Sequence, residues 1–206
     1  LQARRWNPAS ALGEPPPAAP GAGELRFERG EQGQYALSLN LQLGSRPLLE
    51  MHSRGRAGSV GLEPERFTDR RRGRSSSAAN LDRETQQARF SVGTAPVPLA
   101  VAAQDRLTWL VQLPAVLRAD PSLLRQGAVV WLQVVGARGG SQVWRFEALG
   151  PETLRRPDGT VLQSAWRWQR QPESPYDLQV DVWFTDPVEQ VPALVRLIPV
   201  PGGAAL

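Results

Sequence analysis

Apolar and polar residues alternate one for one through much of this chain. In residues 34–43, QYALSLNLQL, Tyr35, Leu37, Leu39, Leu41 and Leu43 alternate with Ala36, Ser38, Asn40 and Gln42. Successive side chains of a strand point to opposite faces, so this pattern predicts a strand with one buried and one wet face. Further strands are expected near 48–53, 58–62, 67–74, 77–82 and 87–92. In the second half, residues 128–135 and 142–149 flank the hairpin loop Ala-Arg-Gly-Gly-Ser. Arg156-Pro157-Asp158-Gly159 is a turn into the strand VLQSAWRWQR, where Leu162, Trp166 and Trp168 share one face. Residues 176–184 alternate again, with Tyr176, Leu178, Val180, Val182 and Phe184 against Asp177, Asp181 and Trp183. A last strand is expected near 194–199.

One segment departs from this period. Asp105 is placed to cap a helix whose body is RLTWLVQLPAVL, with Leu107, Leu110 or Val111, and Leu117 at helical spacing. The body is apolar on most sides and should be buried on most sides. Pro114 lacks a backbone donor and crowds the preceding turn, so it is expected to kink or end the helix. A shorter helix is expected at 121–126. Strands, one apolar helix and more strands predict a mainly β fold: a curved antiparallel sheet or half-barrel wrapping that helix. Closely spaced hairpins argue against a parallel sheet. Residues 1–23, rich in Pro, Ala and Gly, read as a semi-rigid linker or tail, with Arg4, Arg5 and Trp6 able to sit at anionic lipid headgroups. Residues 24–206 then form a single β half-barrel domain.

Composition narrows the compartment more than the chemistry. The net charge is only +4 although the pI is about 10.8, because all 24 basic residues are Arg, which barely deprotonates. A GC-rich genome accounts for arginine in place of lysine; selection for binding phosphate or carboxylate is the sharper reading. There is no Cys, hence no disulfide, thiol nucleophile or thiolate metal site, which fits an oxidising compartment. The chain starts at Leu1, and the expectation is of a signal peptide or anchor upstream. No apolar run approaches the roughly 20 residues of a spanning helix.

Catalytic constellations are sparse. His52 is the only histidine and sits in a strand pattern. Ala57-Gly58-Ser59-Val60-Gly61 lacks the first glycine of a nucleophile elbow and has no helix after it. Without Lys there is no Ser–Lys pair, and one His without Cys leaves no zinc set. Asp177 and Asp181 share a strand face with Trp183, but four residues of strand separate them by roughly 13 Å, too far for a usual glycosidase pair. Gly136, Gly139 and Gly140 belong to a hairpin rather than to a phosphate-binding turn between strand and helix. No cofactor and no metal are implied.

The densest charge lies at Arg66, Arg70, Arg71, Arg72 and Arg74, beside Glu63, Glu65 and Asp69. On a strand, Arg70, Arg72 and Arg74 point to one side and form a stripe for an anion; salt bridges to local acids on a solvated face are the plainer account. Nucleic acid is disfavoured because only Phe67 lies near, and single-strand binders interleave exposed aromatics. Most of the seven Trp should be core, with a subset lining a cavity. The apolar-cavity candidates are Leu39, Leu41, Trp109, Leu110, Leu113, Trp131, Trp144 and Trp166.

The stretch HSRGRAGSVGLEPERFTDRRRGRSSSAANLDRE, the Arg-Phe-Ser at 89–91 and AQDRLTWLVQL resemble a family of uncharacterised bacterial proteins, domain of unknown function 3108. YDLQVDVWFTDPVEQVPALVRL resembles its closing strands, with Pro192-Ala193-Leu194-Val195-Arg196-Leu197 an altered spacing of the usual ending. The likeness covers about residues 24–200. It implies an exported, periplasmic protein of Gram-negative proteobacteria, behind a signal or anchor and a Pro-rich linker, with the half-barrel of LolA/LolB-like lipoprotein carriers. It assigns no catalytic residue. The expected function is therefore a non-enzymatic periplasmic binding or carrier module for an apolar or amphipathic, lipid-like ligand, with membrane contact through the upstream segment. The alternative is a structural or interaction module of the cell envelope, its core filled and its partner an envelope protein. An enzyme acting on envelope polysaccharide is a third, minor class.

Overall fold

The structure is a computed structural model that describes residues 21–173, 177–185 and 188–199. The Pro-rich segment with Arg4, Arg5 and Trp6, and Tyr176, lie outside the described residues. The fold is mainly β, with a curled sheet forming a half-barrel and one α-helix, as the alternation predicts. Strands β1 (Gly21–Arg29), β2 (Gln34–Leu43), β3 (Arg46–Gly58), β4 (Gly61–Arg71), β5 (Ser77–Asp82), β6 (Gln87–Phe90) and β7 (Val97–Pro98) form a seven-stranded sheet in chain order. A second sheet has the order β13-β12-β11-β10-β9-β8: β8 (Gln104–Asp105), β9 (Val129–Val135), β10 (Ser141–Arg155), β11 (Val161–Arg170), β12 (Leu178–Phe184) and β13 (Leu194–Pro199). The pairings are antiparallel except the short β8–β9 bridge, which is parallel. The helix, α1, spans Trp109–Ala119 and runs through Pro114 instead of ending there.

Two compact units divide the described chain: residues 21–112 with Leu132–Val143, and Leu113–Trp131 with residues 144–199. In the first, the inward residues of the long meander make the core: Tyr35, Leu37, Met51, Leu62, Phe67, Ala79, Leu81 and Ala88 are buried. Asp105 lies in β8 and caps the turn at 106–108 that leads into α1, so the helix begins at Trp109 and not directly after Asp105 as the sequence predicts. Its Oδ1 accepts from the backbone N–H of Leu107 and Thr108, both at 2.8 Å, while the Thr108 hydroxyl accepts from the Asp105 N–H. The β3–β4 hairpin turns at Gly61, where φ is +99° and an added Cβ would meet the Gln112 amide at 2.3 Å. That amide holds the turn: its Oε1 accepts from the Leu62 N–H at 2.8 Å and its Nε2 donates to the Val60 carbonyl at 3.2 Å.

In the second unit, arginine is part of the interior. Arg170 is 1% exposed. Its guanidinium grips the Asp177 carboxylate with both terminal nitrogens, donates to the Leu178 carbonyl at 2.8 Å, and lies 4.5 Å over the Trp144 ring. On the adjacent strand β12, Asp181 accepts from Arg167 at 3.2 Å and from Gln169 at 2.7 Å. Arg167 and Arg196 lie 5.4 and 5.2 Å from the centre of the buried Trp183 ring. The carboxylates of Asp177 and Asp181 are thus each held by arginine.

Candidate functional site

The wet face of the seven-stranded sheet carries a polar trough, and strand register builds it. β2 buries Tyr35, Leu37 and Leu39, so Ala36 and Ser38 face outward. Across β3, Ala36 lies opposite Arg54 and Ser38 opposite His52. Across β4, Arg54 lies opposite Arg66 and His52 opposite Thr68; β5 then places Asn80 beside Arg66. On the other side, β1 sets Glu28 beside Ala36 and Arg26 beside Ser38. One rung therefore reads Glu28, Ala36, Arg54, Arg66, Asn80, and the next reads Arg26, Ser38, His52, Thr68. Ala36 is the small residue in the middle of its rung, and the longer side chains around it leave a hollow.

A bulge completes the face. The β3–β4 register shifts between Arg54 and Gly55, so Glu65 is the extra residue on β4. The shift lets consecutive residues Glu65 and Arg66 both face outward while Pro64 and Phe67 are buried. Gly55 permits it: a Cβ there would stand 2.1 Å from the Glu63 carbonyl oxygen. Two adjoining hollows result. One, of about 910 Å³, is bordered by Arg29, Arg54, Arg56, Glu65, Arg66 and Asn80. The other, of about 440 Å³, is bordered by Arg26, Ser38, His52, Arg54, Arg66 and Thr68. Glu28 and Ala36 border both, as do Arg54 and Arg66. Together the hollows hold five arginines and two glutamates, a net of three positive charges in a chain whose total is +4.

Of the three outer arginines of the trough, Arg26 and Arg56 are paired with glutamates and Arg29 lies over the Phe27 ring; the inner two have no ion pair among the described residues. Arg26 pairs with Glu28 at 2.7 Å and Arg56 with Glu65 at 3.5 Å. Arg66 donates to the neutral Asn80 Oδ1 at 2.6 Å. Neither Arg54 nor Arg66 makes an ion pair among the described residues, although they face each other across one ladder rung. Like charges directly opposite on adjacent strands repel. The rung therefore presents two guanidiniums, neither of them in an ion pair among the described residues.

Beneath the trough the floor is anchored. The Tyr35 hydroxyl lies 3.1 Å from Ser53 Oγ, which donates to Asp105 Oδ2 at 2.5 Å. Ser53 has one proton to give, so Tyr35 donates to Ser53. Burial pushes the Asp105 carboxyl above its ordinary range, against the hydrogen bonds from Ser53, Thr108 and Leu107 that favour its charged form. Burial and the neighbouring Asp105 charge likewise push the Tyr35 hydroxyl up. Arg83 ties the adjoining loop, donating to the carbonyls of Ala100, Val101, Pro64 and Ala103.

The residues anticipated for an anion lie beside this trough rather than in it. Strand β4 stops at Arg71, and Gly73 with φ of +69° turns the chain, so Arg72 and Arg74 sit in a turn and form no strand stripe with Arg70. Arg70 itself is engaged by Glu50 at 2.5 and 3.1 Å, which raises its pKa through that hydrogen bond and charge. The residues anticipated for an apolar cavity are mostly packed. Leu39, Trp109, Leu110, Leu113 and Trp144 are buried, and Leu41 and Trp166 are half-buried. Trp131 is 59% exposed, because β9 turns Val130, Leu132 and Val134 inward and the intervening residue outward; Arg145 lies 5.8 Å over its ring. None of these eight borders either hollow. In the sequence Arg54 and Arg56 stand out only as part of the stretch HSRGRAGSVGLEPERF. A hairpin about Ser59-Val60 alone would set Arg54 opposite Glu65; the bulge that sets it opposite Arg66 has no signal in the alternation.

Among the described residues, no three His, Cys, Asp or Glu side chains converge as a metal site requires, and no helix is long and apolar enough to cross a membrane. No protein family, curated protein or solved structure matches the chain.

Proposed function

We propose that this chain is a non-enzymatic binding module of the cell envelope that recognises an anionic ligand or partner through the wet face of its seven-stranded sheet. The observation that carries the reading is the Arg54–Arg66 pair: two guanidiniums on one rung, over a small-residue floor, neither in an ion pair among the described residues although Glu28 and Glu65 border the same hollow. The envelope location rests on the resemblance to the periplasmic family. The packing of Leu39, Trp109, Leu110 and Leu113 supports a module working through its surface over a carrier that encloses an acyl chain. An amphipathic molecule would present its charged head to the trough.

Elution from a sulfated-dextran column against salt tests the reading. Arg54→Gln with Arg66→Gln should elute at clearly lower salt than Arg70→Gln with Arg72→Gln, although both doubles remove the same charge. Equal elution of the two would show that net charge alone governs binding, and the trough would have no special role.

A further inference from the structure

We infer that the trough is a two-station site for a ligand carrying two phosphate-class groups, an inference that rests on the anion-binding reading above. The wet rungs lie two residues apart along each strand, about 7 Å. One hollow lies between the Arg54 rung and Arg56, the other between the Arg54 rung and His52. Arg54 and Arg66 stand between them and reach both. Each hollow adds further arginine at the rim, Arg29 and the Glu65-paired Arg56 on one side, the Glu28-paired Arg26 on the other; these pairs are exposed, and a phosphate group would compete with the glutamate for the guanidinium.

The donors fit phosphate better than carboxylate. A carboxylate offers two oxygens, which one guanidinium fork satisfies. In the smaller hollow a fork is joined by the hydroxyls of Ser38 and Thr68 and the ring of His52, donors for the additional oxygens of a phosphate. In the larger, Asn80 accepts from Arg66 with its oxygen, leaving its amide nitrogen to donate. Among the described residues no exposed aromatic side chain lines either hollow to stack a base, since Tyr35 is 3% exposed. The same chemistry is offered by free oligophosphates and by phosphate headgroups crowded on a membrane.

Titration calorimetry of the whole chain with inorganic phosphate and with tripolyphosphate tests the inference, with a parallel sedimentation assay on phosphatidylcholine vesicles doped with phosphatidic acid. Tripolyphosphate should bind roughly a hundredfold more tightly than phosphate, the low side of what joining two sites gives. Arg56→Gln and Arg26→Gln should each bring tripolyphosphate down to the affinity of single phosphate, and Arg54→Gln should weaken both ligands. Binding to the doped vesicles alone, weakened alike by Arg56→Gln and Arg26→Gln, would support the two stations with membrane headgroups as the source. Equal affinity for phosphate and tripolyphosphate, untouched by Arg56→Gln and Arg26→Gln, would overturn the two stations while leaving a single anion site. Binding of neither salt nor vesicles would remove the anion-binding reading itself.

Discussion

Arginine does opposite work in the two units. Arg170 is sealed in the second unit with a carboxylate, a carbonyl and an indole face around it. Arg54 and Arg66 stand on the wet face of the first unit, facing each other, neither in an ion pair among the described residues. A buried guanidinium must be paired because desolvation is costly, so its partner can be read as structural. A surface guanidinium bears no such cost, so water can satisfy it without an acid; on the proposed reading the unpaired rung is the place where an anion binds. Exposure and pairing together, rather than charge density along the sequence, separate the structural arginines from the available ones.

The sharpest way to break this contrast is to strip the partner from the buried one. Asp177→Ala leaves Arg170 charged and unpaired in the interior, and should cost about 3–5 kcal/mol, seen as a lower urea midpoint with little change in slope. Burial disfavours ionised Asp177, but the hydrogen bonds of Arg170 and of the Leu178 N–H outweigh it and hold the carboxyl below its ordinary range. The folded state therefore releases this proton more readily than the unfolded chain. The stabilisation is present at neutral pH and fades as pH falls through the lowered value, so the wild type should lose on acidification something the variant has already lost. A variant as stable as the wild type would mean that Arg170 finds water, and the contrast with Arg54 would collapse.

Next in size is the bulge that turns Arg66 outward. Gly55→Ala drives a methyl group into the Glu63 carbonyl, and should cost about 1–3 kcal/mol as overpacking does. It should also weaken anion retention on the sulfated column, because the register of β4 sets the Arg54–Arg66 rung. Loss of stability with retention intact would show that the rung does not depend on the bulge.

Smaller still, and visible only in its pH dependence, is the effect of Asp105. Its folded carboxyl keeps its proton to a higher pH than the unfolded one. As pH rises from about 4 the unfolded chain binds fewer protons than the folded chain, so this group lowers stability until it ionises in the fold, and contributes a constant penalty above that. Asp105→Asn should remove that fall. The difference between the two urea midpoints, followed with pH, isolates it from the other carboxylates. Parallel curves would mean that the hydrogen bonds from Ser53, Leu107 and Thr108 fully offset burial.

The alternation that announced β2 also announced its wet face, and the strand 161–170 was legible to the residue because turn chemistry bounds it on one side. The helix was legible from Asp105 and the apolar run, though its passage through Pro114 was not. The trough was far less visible. A rung draws residues from five strands, and its membership depends on register, which a single bulge at Glu65 changes by one residue. The cluster Arg70 to Arg74 attracted the anion reading because it is dense in sequence, yet Gly73 turns the chain out of the strand and Glu50 claims Arg70. Trp131 misled for a related reason: a large apolar side chain in a strand pattern reads as core, but parity with Val130 and Leu132 decides its face.

The finest test converts the available arginine into a structural one. Arg54→Glu sets a carboxylate opposite Arg66 on the same rung, replacing a repulsive cross-strand pair by an attractive one. Such exchanges are worth about 0.2–1 kcal/mol on an exposed sheet face. The variant should therefore be slightly more stable than the wild type while losing its hold on phosphate and on the sulfated column. Gain of stability with loss of binding is the signature expected of a residue kept for a ligand at some expense to the fold. A variant that instead loses stability would show that Arg54 and Arg66 are already reconciled, by water or by the surrounding glutamates, and the rung would then rank with the ordinary paired arginines of the second unit.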